Sequence, residues 1–153
     1  MVGAILTQNT AWTNVEKAIL NLRKEKLLSY RAMRKATEEK LALAIKPAGY
    51  FNIKARRLKN FMSFLGQDSR GNFKKLFSGD IVGLRQKFLE VNGIGPETAD
   101  SILLYAGQKP VFVVDAYTRR VFSRIGVLSK NASYDEIQRF FMMNLDQNAS
   151  FYN

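Results

Sequence analysis

Apolar residues recur at helical spacing along almost the whole chain, and no segment shows the strict alternation of a half-buried strand. Two stripes are the clearest, and they consist of Val15, Ala18, Ile19 and Leu22 and of Phe51, Ala55, Leu58, Met62 and Leu65. The helix of the second stripe is expected to carry its basic residues on the opposite, polar face, namely Lys54, Arg56, Arg57 and Lys59. The pattern predicts about eight helices joined by short turns, and therefore an all-α fold.

Start and stop signals place several of the helix ends. Thr13 and Glu16 have the spacing of a capping box in front of the first stripe. Thr37 is expected to cap a helix that runs through Ile45. The turn at residues 46–49, Lys-Pro-Ala-Gly, ends that helix, because proline and glycine do not continue it.

Neither cysteine nor histidine occurs among the 153 residues, which excludes several classes of site. These residues hold no disulfide, thiolate nucleophile, imidazole base or cysteine-bound metal, so acid–base chemistry is left to carboxylates, Lys, Tyr or water. Residues 1–15 carry no charged side chain, so the basic flank of a signal peptide is absent, and the longest apolar runs are far too short to cross a bilayer. We expect a cytoplasmic, nucleoid-associated protein.

Positive charge is concentrated in one part of the chain. The total is +11, of which residues 16–80 carry +10 and residues 81–153 only +1. A lopsided basic surface attracts polyanions, and nucleic acid is the commonest such partner because binding releases its counterions. A solvated basic surface with no partner remains the simpler alternative.

The most specific stretch is the break between two helices at Gly93-Ile94-Gly95, followed by Pro96. Glycine permits the backbone angles of a tight hairpin and lets backbone amides come close to a ligand. The start of the next helix attracts an anion such as a DNA phosphate. Ile94 is expected to anchor the hairpin in the apolar core.

An acidic residue follows the next extended apolar run. Asp115 comes after Val111-Phe112-Val113-Val114 and immediately before a helix that carries Arg119 and Arg120. A carboxylate at a helix start near an anion-binding hairpin is a candidate for catalysis on nucleic acid. Position alone favours the plain N-cap of that helix, and the two roles are compatible, since capping also orients the carboxylate.

Four blocks of the sequence together resemble the endonuclease III-like helix–hairpin–helix DNA glycosylases, the HhH-GPD fold. They are GAILTQNTAWTNVEKAI, IKPAGYFNIKARRLKNF, LEVNGIGPETADSILLYAG and VFVVDAYTRRVF, in that order. The resemblance implies a six-helix lobe over residues 1–109 that ends in the hairpin, and a partial second lobe over residues 110–153. It also implies a monomeric base-excision-repair enzyme that flips a damaged nucleotide out of duplex DNA and cuts its N-glycosidic bond.

The resemblance assigns roles only where residues match the family pattern. Asp115 falls at the essential aspartate, which stabilises the positively charged sugar and orients the attacking water. Gly93, Ile94 and Gly95 fall on the phosphate-binding hairpin. Gln8 matches the side chain that fills the gap left by the flipped base, and Tyr50 falls at the wedge against the orphaned partner base. Arg119 is expected to contact phosphate.

One departure bears on the reaction. Where bifunctional relatives have the lysine that attacks the sugar, this sequence has Glu97, and a carboxylate cannot form a Schiff base. The resemblance therefore favours the monofunctional branch, which includes enzymes that remove alkylated purines such as 3-methyladenine. Trp12, the single tryptophan, is the candidate wall of a pocket for a cationic base, with ordinary packing as the alternative.

The ends of the chain also depart from the family. Relatives carry an N-terminal helix before the matching region and commonly a four-cysteine loop that binds a [4Fe–4S] cluster after it. No cofactor is expected within this chain, and a cluster would need cysteines beyond residue 153. Two rival functions stay open. The first is a bifunctional endonuclease III-like glycosylase with lyase activity, and the second is a non-catalytic DNA-binding helix–hairpin–helix module.

Overall fold

The computed structural model describes residues 1–153, and all of their regular secondary structure is helical. The eleven α-helices are α1 Val2–Leu6, α2 Trp12–Lys24, α3 Tyr30–Lys35, α4 Glu38–Ala44, α5 Phe51–Asp68, α6 Phe73–Leu76, α7 Ile81–Leu89, α8 Pro96–Tyr105, α9 Ala116–Arg124, α10 Tyr134–Asn144 and α11 Ala149–Tyr152, with a 3₁₀ turn at Lys46–Ala48. The all-α prediction is confirmed. None of the helices combines the length and the apolar character needed to span a bilayer.

The chain divides into two compact units, Met1–Ile94 and Gly95–Asn153. The division falls inside the hairpin between α7 and α8, whereas the sequence placed a boundary after residue 109. A buried side-chain contact helps to place α8 in the second unit. Gln138 on α10 donates one hydrogen bond to Asp100 Oδ2 on α8, at 2.8 Å, and another to the carbonyl of Phe112, at 2.7 Å.

Helix α5 forms the centre of the first unit, because its apolar stripe faces α1, α3 and α4. The buried members of that stripe are Ala55, Leu58, Phe61, Met62 and Leu65. An aromatic cluster extends the core to α7, where the ring centroid of Phe88 lies 6.1 Å from Phe61 and 5.7 Å from Phe64. Each fully buried Leu or Phe contributes about 1.5–3 kcal/mol relative to an exposed one, so this cluster fixes how α5 meets its neighbours.

Two of the predicted helix starts can be compared directly with the structure. Thr37 caps α4, where its side chain accepts a hydrogen bond from the Lys40 amide at 3.2 Å, as the sequence predicted. The capping box at Thr13 and Glu16 is wrong. The helix begins earlier, with Ala11 as N-cap, so Thr13 already lies inside α2.

The second unit has a small core around the segment that leads into α9. Val114, Ile137 and Phe141 are buried together, and the rings of Phe112 and Phe141 stack at a centroid distance of 4.3 Å. The Val114 amide also donates a hydrogen bond to the Tyr134 hydroxyl at 3.3 Å. These contacts hold the extended residues 111–114 against α10 and so set where the following residue, Asp115, lies in this unit.

Candidate functional site

The turn at residues 92–95 needs glycine at its first glycine position. Gly93 has φ of +92°, and a Cβ added there would overlap the aliphatic part of Arg57, with Arg57 Cδ only 2.8 Å away. Ile94 is buried, and its amide donates a hydrogen bond to the Val91 carbonyl at 2.9 Å. The apolar anchor that the sequence predicted for this turn is therefore present.

Gly95 differs from Gly93 in what surrounds it. It is the N-cap of α8 with φ of −94° and ψ of 178°, which any residue adopts, and a Cβ built there meets no atom within 4 Å. Neither backbone angle nor packing within the chain requires glycine at this position. The start of α8, with its Pro96, is a helix N-terminus to which a phosphate can come close.

Gln8 links three segments of the first unit. Its Nε2 donates a hydrogen bond to the Gly93 carbonyl at 3.0 Å, and its Oε1 accepts one from the Arg57 guanidinium. The loop between α1 and α2 is thereby tied to α5 and to the turn that contains Gly93. Because Arg57 also packs on Gly93, the three residues form a single network, in which Gln8 is half-buried.

Tyr50 lies at the start of α5 in a left-handed conformation, with φ of 43° and ψ of 34°. Its side chain is 70% exposed, as a wedge residue must be to reach DNA. Tyr50 and Gln8 line the same cavity of about 110 Å³, whose lining residues are Gln8, Asn9, Tyr50, Ile53, Lys54 and Arg57. The structure therefore brings together Gln8, predicted to fill the gap left by a flipped base, and Tyr50, predicted to press on the orphaned partner base.

Asp115 is the N-cap of α9, the structural role that the sequence left open. Its Oδ1 accepts hydrogen bonds from the Thr118 amide at 2.7 Å and from the Thr118 hydroxyl at 2.8 Å. Both bonds use Oδ1, so Oδ2 lies outside the cap, on a half-buried side chain. The carboxylate is thus held in one orientation by two donors from the following turn.

Glu97, in the first turn of α8, is electrostatically coupled to Asp115. Partial burial raises the pKa of Glu97, and the negative charge of Asp115 raises it further. Both carboxyl groups belong to the second unit, and they lie close enough for the charge of Asp115 to disfavour ionisation of Glu97. The sequence identified Glu97 only as a departure from the lyase pattern.

Arg119 and Trp12 are each engaged in a local contact. Arg119 donates a hydrogen bond from Nη1 to the Ala132 carbonyl, so its guanidinium holds α9 to the following loop. Trp12 is 54% exposed, and its Nε1 donates a hydrogen bond to Glu16 Oε1 at 3.0 Å. The Trp12 ring is therefore not buried in the core, and it packs at the start of α2 beside Gly3, where an added Cβ would lie 3.4 Å from Trp12 Cη2.

Lys54 is the site residue that sequence reasoning misplaced. The sequence put it on the polar face of its helix, yet Lys54 is only 1% exposed. Its Nζ donates hydrogen bonds to the Leu6 carbonyl at 2.8 Å, to Thr10 Oγ1 at 2.6 Å and to the Ala48 carbonyl at 2.8 Å. Burial, and secondarily the charge of Arg57, lower the pKa of Lys54 to about 8.

Comparisons with known proteins identify the family. The family model described as the HhH-GPD superfamily of base excision DNA repair proteins matches residues 2–147. The chain belongs to this superfamily. A protein of Methanocaldococcus jannaschii, provisionally named a DNA repair glycosylase, is 49% identical over 99% of this chain and 70% of its own length.

Solved structures of the superfamily are similar over most of the chain. A 3-methyladenine DNA glycosylase of H. pylori, bound to 1,N6-ethenoadenine, has a TM-score of 0.84 and 33% identity, covering 93% of this chain. An endonuclease III–DNA complex has a TM-score of 0.80 at 21% identity over 95% of this chain, which shows a common fold. The chain spans 66% and 64% of these two structures, respectively.

Iron–sulfur clusters are held by cysteine thiolates, and residues 1–153 include none. The acidic side chains do not supply an alternative metal site, because the structure groups no three of them as ligands. These residues do not fit a cluster, and no chemical step is assigned to one.

Proposed function

We propose that this chain is a DNA glycosylase that hydrolyses the N-glycosidic bond of a damaged base in duplex DNA, the base being an alkylated purine. The observation that carries the proposal is the Asp115 carboxylate, oriented by Thr118 at a helix start in a chain of the base excision repair superfamily. Similarity to a glycosylase named for 3-methyladenine supports the choice of alkylated purines.

The proposed chemistry needs a fixed negative charge beside the sugar. As the bond from C1′ to the base nitrogen breaks, its electron pair leaves with the base and positive charge develops on the sugar ring. Asp115 Oδ2, which the cap does not use, stabilises that charge, because a preoriented carboxylate does so without reorganisation. Water then attacks C1′, and its proton passes to the carboxylate or to solvent.

Glu97 supports water as the nucleophile. The residue at this position is a carboxylate, which cannot form the Schiff base of a lyase reaction. Alkylation makes the purine cationic and weakens its glycosidic bond, so a single aspartate and a water molecule suffice to cleave that bond. We therefore assign base release without strand cleavage.

DNA contacts are assigned to the other predicted residues of each unit. Gln8 and Tyr50, which share one cavity, fill the space of the flipped nucleotide and press on its partner base, and such contacts offset the few kcal/mol that unstacking costs. The hairpin at residues 93–95 and Arg119 bind phosphates. The exposed face of Trp12 stacks against a cationic base.

The proposal is tested with a panel of duplexes that carry 3-methyladenine, 1,N6-ethenoadenine, uracil or no lesion at one position. Base release is scored by chromatography and strand nicking by electrophoresis. We expect release of an alkylated purine with no nicking and no covalent adduct on borohydride reduction. A borohydride-trapped adduct would mean that a lysine elsewhere performs lyase chemistry, and binding without any product would indicate a non-catalytic DNA-binding module.

Asp115→Asn tests the catalytic role. The asparagine oxygen can still accept the hydrogen bonds from Thr118, so we expect an intact fold and DNA affinity within about twofold. Base release should fall by about 10³-fold or more, since the charge that stabilises the sugar is lost. Asp80→Asn is the matched control, because Asp80 is also a helix N-cap, bonded to the Gly83 amide at 2.8 Å. An unchanged rate in Asp115→Asn would refute the mechanism.

A further inference from the structure

The loop that carries Gln8 and the turn that carries Tyr50 are joined by one buried ammonium group. Lys54 Nζ donates to the Leu6 carbonyl and to Thr10 Oγ1, which lie on either side of Gln8. Its third bond goes to the carbonyl of Ala48, two residues before Tyr50. All three ammonium protons are used, and the three acceptors belong to two chain segments far apart in the sequence.

Thr10 completes the junction. Its hydroxyl accepts from Lys54 at 2.6 Å and donates to the Ala48 carbonyl, also at 2.6 Å. The Leu6 carbonyl belongs to the last turn of α1, where carbonyls lack a partner within the helix, so Lys54 also caps that helix end. Removing the ammonium group would therefore break three of the four hydrogen bonds of this junction and leave the bond from Thr10 to Ala48.

The backbone at both segments is held in strained conformations. Asn9 has φ of 52° and Tyr50 has φ of 43°, and neither is glycine. Left-handed backbone is unfavourable for residues other than glycine and persists where surrounding contacts hold it. Asn9 follows Gln8 directly, so Gln8 lies next to one strained residue and Tyr50 is the other, and both lie close in sequence to acceptors of Lys54.

We propose that Lys54 is a positioning residue for DNA binding, whose ammonium group holds residues 7–11 against the Lys46–Ala48 turn and so fixes Gln8 and Tyr50 for insertion at the lesion. The inference rests on the proposed function, because it acts through the two residues assigned to DNA contact. Lys54 itself is buried and does not touch the nucleic acid.

The test compares Lys54→Met with Lys59→Met in the full chain. Lys59 lies on the same helix, and its Nζ donates to the carbonyls of Arg34 and Ala36, both at 2.7 Å. Lys59→Met therefore removes a similar ammonium–carbonyl junction that does not involve the loop of Gln8 or the turn of Tyr50. The measurements are Tm and the Kd for two duplexes, one undamaged and one with a tetrahydrofuran abasic site.

We expect Lys54→Met to raise the Kd for the abasic duplex about tenfold and the Kd for the undamaged duplex by less than about twofold. Insertion at the lesion depends on Gln8 and Tyr50, whereas phosphate binding does not. Lys59→Met should lower Tm but change the ratio of the two Kd values by less than about twofold. If both variants raise both Kd values in proportion to their loss of Tm, Lys54 is merely structural and the inference is overturned.

Thr10→Val provides a second variant in case Lys54→Met does not fold. It removes the hydroxyl that accepts from Lys54 and donates to Ala48, but keeps the ammonium group and its bonds to Leu6 and Ala48. We therefore expect a smaller rise, about threefold, confined to the abasic duplex. An abasic-duplex Kd equal to that of the wild type in this variant would count against the junction.

A pH profile separates positioning from folding. Between pH 7 and 9 Lys54 loses a proton, which leaves two N–H donors for three acceptors. No acidic side chain faces the Lys54 ammonium group. Residues 1–11 have no ionisable side chain, and the one charged residue of the Lys46–Ala48 turn is exposed Lys46. On α5 the neighbouring charged group is Arg57. The abasic-duplex Kd of the wild type should rise over this range more than that of Lys54→Met, and parallel profiles would contradict the inference.

The wild-type result separates the two proposals. If the wild-type protein binds abasic and undamaged duplexes equally, insertion by Gln8 and Tyr50 fails and the positioning role fails with it, whereas absence of base release in the lesion panel overturns the proposed function. If the wild type prefers the abasic duplex and folded Lys54→Met shows the same preference, only the role of Lys54 fails.

Discussion

The two glycines of the hairpin differ in what an added side chain would meet, and substitution separates them. Gly93→Ala places a Cβ at φ of +92° against Arg57, so we expect a loss of about 1–3 kcal/mol of stability. Gly95→Ala meets no atom and needs no unusual φ, so Tm should stay within about 2 °C of the wild type. If the amides at this turn approach a phosphate, the same methyl group should weaken binding of undamaged duplex about fivefold or more.

Thermal unfolding and fluorescence anisotropy check both substitutions. Gly49→Ala is a useful comparison, because Gly49 has φ of +64° but open space around its Cβ, so it reports backbone strain without a clash. Unimpaired DNA binding by Gly95→Ala would mean that this position is not a phosphate contact.

Among the helices, those with a clear periodic pattern of apolar residues were predicted best from the sequence. The stripe of α5 predicted that helix well, whereas α1, α6 and α11 are four or five residues long, too short to show a period. Lys54 was misplaced because its charge was given more weight than its spacing, although it lies three residues after Phe51 and four before Leu58, on the apolar face. Periodicity could have placed Lys54 there, but not its three acceptors, because these come from distant segments.

The candidate site shows the same division between local and long-range information. The cap at Asp115 could be predicted, because an acid immediately before a helix is a local pattern. The bond from Gln8 to Gly93 could not, because it joins residues that are 85 positions apart. Local chemistry in a sequence thus identifies which side chains are candidates, and tertiary contacts decide which of them act together.

One amide side chain, that of Gln138, contributes two hydrogen bonds to the contacts between α8, α10 and residues 111–114. Gln138→Leu removes the donor to buried Asp100 and to Phe112, so we expect a loss of about 2 kcal/mol in the free energy of unfolding. Gln147→Leu is the control, because exposed Gln147 makes only a 3.5 Å contact with the Met142 carbonyl, and it should change stability by less than about 0.5 kcal/mol. Urea unfolding measures both, and equal losses would contradict the assignment.

At the scale of the whole molecule, the excess of positive charge in residues 16–80 sets how binding responds to salt. If the protein neutralises about four to five phosphates, its affinity for duplex DNA should fall about 10²- to 10³-fold between 50 and 200 mM salt. Phosphate contacts carry no information about the base, so the slope of log Kd against log salt should be the same for abasic and undamaged duplexes, while the two lines stay separated by the lesion preference. Anisotropy titrations over that salt range measure both quantities. A slope near zero would mean that the positively charged residues of this segment are solvated and have no role in binding. Lines that converge would mean that the lesion preference itself arises from phosphate contacts rather than from Gln8 and Tyr50.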